Sequence, residues 1–338
     1  MPCSAADKPL LSLVVPFHNE EGNLTVFFER ASKTLVSMDV RWELIFVNDG
    51  SLDDSLQEAV ALYEQHDEVN VIDLSRNFGK EIALSAGLDH ARGDAIIEID
   101  ADLEHPPEVI ADLVEKWNEG FQIVFATRKS RTVEPFLKRV SARAYYKIFG
   151  WLSKIPNHDK LGDFCLLDRC VVDKLTAFPE HNRFMKGLVA WTGFKQGFVS
   201  YELGSRTAGE TKWNYWRLWN FALEGITSFS SMPLKLWTYV GVVIAFLAFI
   251  YTLIIVTRTI IFGIDVPGYA SLLTVVLFLG GVQLIGLGVL GEYIGRIYTE
   301  VKDRPLYIIQ KAYGFDSEMR EDGTVQPAAD NKRAARRS

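Results

Sequence analysis

Short apolar runs alternate with amphipathic stretches along the first part of the chain. The runs, rich in β-branched and aromatic residues, occupy 11–17, 42–48, 69–74, 94–99 and 121–127. The helix-like stretches between them occupy 22–36, 53–65, 80–91 and 107–119. Strands that are apolar throughout are typical of a sheet covered by helices on both faces. The pattern therefore predicts an α/β fold with a mostly parallel sheet, and a further strand is expected near 162–167.

Two long uncharged segments follow this region, from Leu236 to Thr257 and from Val266 to Gly291. Each is as long as the roughly 20 apolar residues that cross a bilayer, so we expect transmembrane helices at about 236–257 and 267–291. The tail from Glu292 is rich in lysine and arginine, which places it on the cytoplasmic side. A hairpin would leave both termini and the large domain on that side. The alternative is a buried helical hairpin in a soluble protein.

These patterns divide the chain into four predicted parts. They are an α/β domain over 1–205, a loop with interfacial amphipathic helices over 206–235, a two-helix hairpin over 236–291 and a tail over 292–338, disordered after about 315. The interfacial assignment rests on the tryptophans and phenylalanines that precede the first span.

Charge and cysteine content exclude several classes of function. The 338 residues carry a net charge of −7, which gives no overall basic field for nucleic acid. The three cysteines, Cys3, Cys165 and Cys170, form neither a disulfide framework nor a zinc pattern.

Polar residues cluster where the predicted strands end. Asn19 and Glu20 follow the first strand, Asp49 the second and Arg76 the third. Ligands of such sheets bind outside the carboxyl ends of the strands, so these residues are candidate nucleotide contacts. Asp49 has a second interpretation, as part of a capped turn into the next helix.

An acidic cluster follows the fourth strand. Asp100 and Asp102 can meet one Mg²⁺ or Mn²⁺ ion together, and Glu104 is a possible third ligand. Such an ion would neutralise a diphosphate leaving group. A lone triplet of this kind is also common on protein surfaces.

The remaining candidates concern phosphate binding. Cations expected near phosphates are Arg128, Arg139, Arg206 and Lys212, although an isolated arginine or lysine is more often simply solvated. Asp163 is the carboxylate expected near a phosphate-bearing acceptor substrate. The alternative is that Asp163 only stabilises a turn. An acceptor phosphate has a second pKa near ~6, so it needs cations more than it needs a strong base.

Several motifs together resemble a known enzyme family. VVPFHNE (14–20), VNDGSLDDS (47–55), the stretch 74–107, GDF (162–164) and RTAGETKWNYWRLWN (206–220) resemble family-2 glycosyltransferases of the GT-A fold. Within that family they look like the polyprenyl-phosphate branch, which includes dolichyl-phosphate mannose synthases. ALEGITSFSSMPLKLW (222–237) and LGEYIGRIYTEVKDRPLYII (290–309) are similar to prophage-type bactoprenol glucosyltransferases.

The resemblance implies a metal-dependent, inverting transferase in a bacterial inner membrane. It implies UDP-glucose as donor, undecaprenyl phosphate as acceptor, a divalent cation and a β-linked product for O-antigen or cell-envelope glycosylation. A flippase and a second glycosyltransferase would use that product. Alternatives are a mannose or modified aminoarabinose donor, or a non-catalytic membrane scaffold. Gly291 and Gly295 indicate helix packing, and we expect a homo-oligomer.

The resemblance also assigns site residues. It maps the metal and diphosphate role onto Asp100 and Asp102 and uridine contacts onto Pro16, Glu20 and Asp49. The full set expected at the nucleotide-sugar is Pro16, Asn19, Glu20, Asp49, Arg76, Lys80, Asp100, Ala101, Arg206 and Lys212. The set expected at the transfer step is Asp102, Asp163, Arg128 and Arg139.

Two positions depart from the pattern of related synthases. Glu104 replaces a glutamine that is frequent there, which puts its metal role in doubt. Arg143 replaces a serine four residues after the arginine matched by Arg139, so the acceptor contacts carry over only in part.

Overall fold

The structure is a computed structural model that describes residues 8–128, 162–181, 183–201, 232–262, 268–315, 317–319 and 325–327. The described residues belong to two compact units. The first comprises 8–128, 162–201 (without 182) and the residues from 304 onward, and the second comprises 232–303 without 263–267.

The first unit is built on an eight-stranded sheet. Its strands are β1 (Leu10–Phe17), β2 (Arg41–Asn48), β3 (Val69–Leu74), β4 (Ala95–Glu98), β5 (Ile123–Arg128), β6 (Cys165–Asp168), β7 (Gln196–Tyr201) and β8 (Ile309–Tyr313). Their order is β7-β5-β6-β4-β1-β2-β3-β8. Strands β1 to β4 run parallel, as do β5 and β7, whereas β6 and β8 run antiparallel to their neighbours. This confirms the predicted α/β fold with a mostly parallel sheet.

Helices connect the strands much as the sequence pattern predicts. They are α1 (Asn23–Val36), α2 (Ser55–Gln65), α3 (Lys80–His90), a 3-10 turn (Pro107–Val109), α4 (Ile110–Asn118), α5 (Arg169–Thr176) and α6 (Met185–Trp191). In α1 the buried residues are Leu24, Phe27, Phe28, Ala31 and Leu35, a spacing that forms a single apolar face toward the sheet.

Close packing against β1 fixes the position of α3, which begins at the carboxyl edge of the sheet. Gly87 of α3 lies against Val14 of β1, and a Cβ at this position would overlap the valine side chain. Only glycine lets the helix approach so closely, and the approach places the first turn of α3 above the carboxyl ends of β1 and β4.

Residues 304–315, near the C-terminus, join the sheet, which the sequence pattern does not predict. Strand β8 pairs with β3, and the Ser75 amide donates to the Ile308 carbonyl at 2.9 Å. The Tyr307 hydroxyl donates to Asp89 at 2.8 Å, and Phe315 is buried with its ring 5.4 Å from that of His90. Beyond it lies a short antiparallel pair, β9 (Ser317–Met319) and β10 (Val325–Pro327).

The second unit contains two long helices, α7 (Met232–Phe262) and α8 (Tyr269–Val301). In the described part of the chain, one stretch, Phe278–Val301, is long and apolar enough to cross a membrane, while α7 contains a shorter apolar stretch, Gly241–Ile255. The two helices touch where the Trp237 indole covers Gly286. The expected pair of spans, 236–257 and 267–291, therefore stays a prediction.

Candidate active site

A cleft of about 340 Å³ opens at the carboxyl ends of β1, β2 and β4. Residues from these strand ends and from the start of α3 line it: Pro16, Phe17, His18, Glu20, Asp49, Asn77, Gly79, Lys80, Asp100, Ala101 and Asp102. The structure thus brings together most of the predicted nucleotide-sugar and metal residues on one wall. Asn19, Arg76 and Glu104 lie outside the lining.

Asn19 joins two loops instead of facing the cleft. It adopts a left-handed conformation with φ of 56°. Its Oδ1 accepts from the Leu52 amide at 2.8 Å, and its own amide donates to the Ser51 hydroxyl at 3.0 Å. The turn brings Glu20 to the cleft, where the Glu20 amide donates to the Ser55 hydroxyl at 2.8 Å.

Asp49 is buried and binds backbone. Its two carboxylate oxygens accept from the amides of Phe78 and Gly79 at 2.7 and 3.0 Å. The next residue, Gly50, has φ of +64°, and a Cβ there would lie 2.5 Å from the backbone of Arg76 and Asn77. Asp49 and Gly50 together hold the 76–79 loop, so the turn interpretation of Asp49 and its place in the cleft coexist.

Arg76 is exposed and turns onto its own loop. Its guanidinium lies 4.0 Å from the centre of the Phe78 ring and donates to the Asn77 carbonyl at 2.9 Å. In this conformation Arg76 is not among the residues that line the cleft.

Carboxylates dominate the electrostatics of this wall. Burial raises the pKa of Asp102, and the nearby charges of Asp100 and Glu104 raise it further. Burial likewise raises the pKa of Glu20, with added contributions from Asp102 and Asp100. Carboxylates that raise one another's pKa values in this way are short of positive charge, which a bound cation would supply.

The donor set at this wall suits a hard divalent cation. Among the described residues no group of three or more His, Cys, Asp and Glu side chains forms a ready metal cluster. Mg²⁺ in nucleotide sites is typically held by one or two carboxylates, with waters and substrate phosphates as the other ligands. Asp100 and Asp102 match that pattern. The Glu104 amide donates to Asp102 at 2.9 Å and so helps to orient it.

Lys80 provides the positive charge at this wall. Its Nζ lies 2.6 Å from the Asp100 carboxylate. Burial disfavours the charged ammonium, but the carboxylates of Asp100 and Asp163 outweigh that effect and raise the pKa of Lys80.

Asp163 lies just before β6 and is paired with two lysines. Its Oδ1 is 2.8 Å from Nζ of Lys186 and 3.9 Å from Nζ of Lys80. Burial alone would raise the pKa of Asp163, but the two ammonium groups lower it below its usual value. Asp163 is therefore an anion at neutral pH and a weak proton acceptor in this conformation.

Two further carboxyl groups lie beneath the cleft and were not found from the sequence. Burial raises the pKa of Glu98 to about 8 and that of Glu81 to about 7. The Cys165 thiol donates to Glu98 at 3.5 Å, and the Met185 amide donates to Glu81 at 3.2 Å. One signal was available for Glu98: an acidic residue inside an otherwise apolar strand.

Four predicted cations lie outside what can be described. Arg139, Arg206 and Lys212 fall within 129–161 and 202–231, which the structure does not describe. Arg128 ends β5, and only its backbone is described.

Two sequence profiles match the chain. That of glycosyl transferase family 2 covers residues 12–176, and that described as the GtrB C-terminal hairpin covers residues 232–297. A prophage bactoprenol glucosyl transferase homolog of Escherichia coli is 50% identical over 303 residues, which is 89% of this chain and 98% of the relative. The chain belongs to glycosyltransferase family 2.

Other relatives place it in the same branch of the family. An uncharacterized glycosyltransferase of Synechocystis sp. is 52% identical over 90% of this chain and 96% of its own. The bactoprenol glucosyl transferase of Shigella phage SfV is 48% identical over 89% of this chain and 98% of its own. This confirms the resemblance to the prophage-type enzymes.

Solved structures superpose with the chain only loosely. Glucosyl-3-phosphoglycerate synthase of Mycobacterium tuberculosis superposes with a TM-score of 0.45 and 20% identity, over 64% of this chain and 76% of that one. So loose a superposition adds nothing to the family assignment, which rests on the profiles and the relatives.

Proposed function

We propose that this family-2 glycosyltransferase moves glucose from UDP-glucose to undecaprenyl phosphate, with inversion, and forms a β-linked polyprenyl-phosphate glucose. The observation that carries the proposal is the cleft in which Asp100, Asp102 and Lys80 meet at the strand ends. The relatives named bactoprenol glucosyl transferases support the choice of sugar and acceptor, because they match this chain over both profiles.

On the donor side, the residues of the cleft wall bind the nucleotide and its diphosphate. Asp100 and Asp102, with Glu104 beside them, would hold a Mg²⁺ or Mn²⁺ ion, whose chemistry is to neutralise the departing diphosphate. Lys80 adds a second positive charge at the same place. The 76–79 loop held by Asp49 shapes the side of the cleft next to the nucleotide.

On the acceptor side, the nucleophile is an oxygen of the lipid phosphate. This phosphate is largely ionised at neutral pH, so the reaction requires orientation more than proton removal. The lowered pKa of Asp163 agrees with an orienting role. Arg128, Arg139, Arg206 and Lys212 remain our candidates for phosphate contacts.

The proposed membrane part would keep the enzyme at the bilayer that contains its lipid substrate. We propose that α7 and α8 cross a bacterial inner membrane as a hairpin, with both termini in the cytoplasm, where nucleotide-sugars are made. A flippase and a second glycosyltransferase would then carry the glucose into O-antigen or the cell envelope. We also propose a homo-oligomer that packs through α8.

The test is a transfer assay with radiolabelled UDP-glucose and undecaprenyl phosphate, using the full chain in detergent. We expect label in the lipid extract, loss of transfer in EDTA, and recovery with Mg²⁺ or Mn²⁺. Asp102→Asn should lower kcat by about 100-fold or more, because it removes an anionic ligand from the diphosphate site. The matched control is Asp112→Asn, on the exposed face of α4.

Three results would count against the proposal. Wild-type turnover in Asp102→Asn would reject the assigned metal site. Labelling of the lipid from GDP-mannose or a modified aminoarabinose donor, and not from UDP-glucose, would reject glucose as the transferred sugar. Absence of any nucleotide-sugar binding in calorimetry would favour a non-catalytic scaffold.

A further inference from the structure

Lys186, which does not line the cleft, belongs to a row of four side chains with alternating charge. Lys186 lies at the second position of α6, with its Nζ 2.8 Å from Oδ1 of Asp163. Lys80 lies 3.9 Å from the same oxygen and 2.6 Å from Asp100. The chain Lys186–Asp163–Lys80–Asp100 therefore links the acceptor carboxylate to the donor carboxylate.

Packing of α6 against α3 sets the position of Lys186. The Met185 amide donates to the Glu81 carboxyl at 3.2 Å, and the Met185 side chain is buried 3.9 Å from the Ser85 hydroxyl. Glu81 directly follows Lys80, so the first turns of α3 and α6 are held together. Only 26% of the Lys186 side chain is exposed, against 43% for Lys80. Lys186 is thus the more firmly held of the two lysines.

Two carboxylates, those of Asp100 and Asp163, lie within 4 Å of the Lys80 ammonium. With Lys186 on Asp163, the ammonium of Lys80 stays with Asp100. Without Lys186, Asp163 would lack its nearest cation while still close to the carboxyl group of Glu81. Coulomb attraction would then draw Lys80 toward Asp163 and away from the diphosphate.

We propose that Lys186 is a positioning residue for glucosyl transfer, which pairs with Asp163 and so keeps Lys80 on the donor side of the cleft. The inference rests on the proposed function, since it takes the diphosphate to lie beside Lys80. Lys186 acts through Lys80 and Asp163 and need not touch either substrate. Charge on the diphosphate grows as the sugar bond breaks, so a displaced Lys80 is felt mainly in the transition state.

The experiment is a kinetic double-mutant cycle in the full chain with UDP-glucose and undecaprenyl phosphate. Lys186→Met should lower kcat by about 100-fold, as expected when a catalytic group is misplaced by about 1 Å, while the KM for UDP-glucose changes less than about threefold. Lys186→Arg keeps the charge, so its kcat should be at least about tenfold higher than that of Lys186→Met. In a Lys80→Met background, Lys186→Met should cost less than about threefold, because the residue through which it acts is absent.

Lys174→Met is the matched control, because Lys174 is an exposed lysine of neighbouring α5. It should behave as the wild type, and all variants should melt within a few degrees of it. A full additional loss from Lys186→Met in the Lys80→Met background would overturn the inference, as would an unchanged kcat in Lys186→Met alone. A wild-type protein that transfers no glucose would instead reject the proposed function.

Discussion

Buried carboxyl groups at the floor of the cleft carry an energetic cost that depends on pH. Glu81 is one case, because burial raises its pKa from 4.5 to about 7 while Asp163 opposes its ionisation. Between these values the folded protein keeps a proton that the unfolded chain releases. The free energy of unfolding therefore falls as pH rises from about 4.5 to about 7, and Glu81 adds no further slope above that range.

Glu81→Gln should remove this slope. The amide oxygen can still accept from the Met185 amide, but the side chain no longer ionises. We expect the melting temperature of the variant, relative to the wild type, to be higher at pH 7.5 than at pH 5, by about 2–4 °C for each kcal/mol of ionisation cost. Thermal melts of the full chain in detergent measure it. The control is exposed Glu115→Gln, and a difference that is the same at both pH values would contradict the prediction.

Local pattern explains which site residues could be predicted. Asp49, Asp100 and Asp102 stand where an apolar run stops, so their place at the carboxyl edge of the sheet follows from periodicity alone. Lys186 has no such mark, since its pairing with Asp163 depends on how α6 packs against α3. The direction of the Arg76 side chain could not be predicted from the sequence either, because it depends on the packing of its guanidinium against the Phe78 ring.

At the scale of elements, the segment from Arg304 to Phe315 completes the sheet. Strand β8 covers the edge of β3, which would otherwise present unpaired backbone groups. The His181 ring lies 2.7 Å from the Arg304 carbonyl, and the Tyr307 hydroxyl reaches Asp89 at the end of α3. The sequence pattern predicts only a charged tail here, because the five-residue strand follows Pro305 and its apolar and polar residues alternate weakly.

Tyr307→Phe tests how much this segment stabilises the domain. Loss of the hydrogen bond to Asp89 should cost about 1–3 kcal/mol, measured as a lower melting temperature. In an Asp89→Ala background the same change should cost clearly less, because the acceptor of the hydrogen bond is already absent. Tyr298→Phe, on the exposed face of α8, is the control. Equal costs in both backgrounds would show that the hydroxyl acts elsewhere.

At the scale of the whole molecule, the proposed hairpin predicts that residues 263–267 lie on the outer side of the membrane and the sheet on the cytoplasmic side. Residues 263–267 join α7 to α8 in the sequence. In a variant with Cys3→Ser, Cys165→Ala and Cys170→Ser, an introduced Asp265→Cys should react with an impermeant maleimide in intact spheroplasts. Ser200→Cys, exposed on β7, should react only after lysis. Labelling of both positions in intact cells would contradict the topology.

The return of residues 304–315 to the sheet also determines how the catalytic part can be isolated. In sequence, the segment that contains α7 and α8 is inserted within the first unit and is not an appendage at its end. A stop codon before α7 would remove β8 together with α7 and α8 and leave β3 as an unpaired edge. A soluble expression version would instead replace the hairpin with a flexible linker and retain Arg304 to Phe315, in the way that an inserted domain is excised from its host.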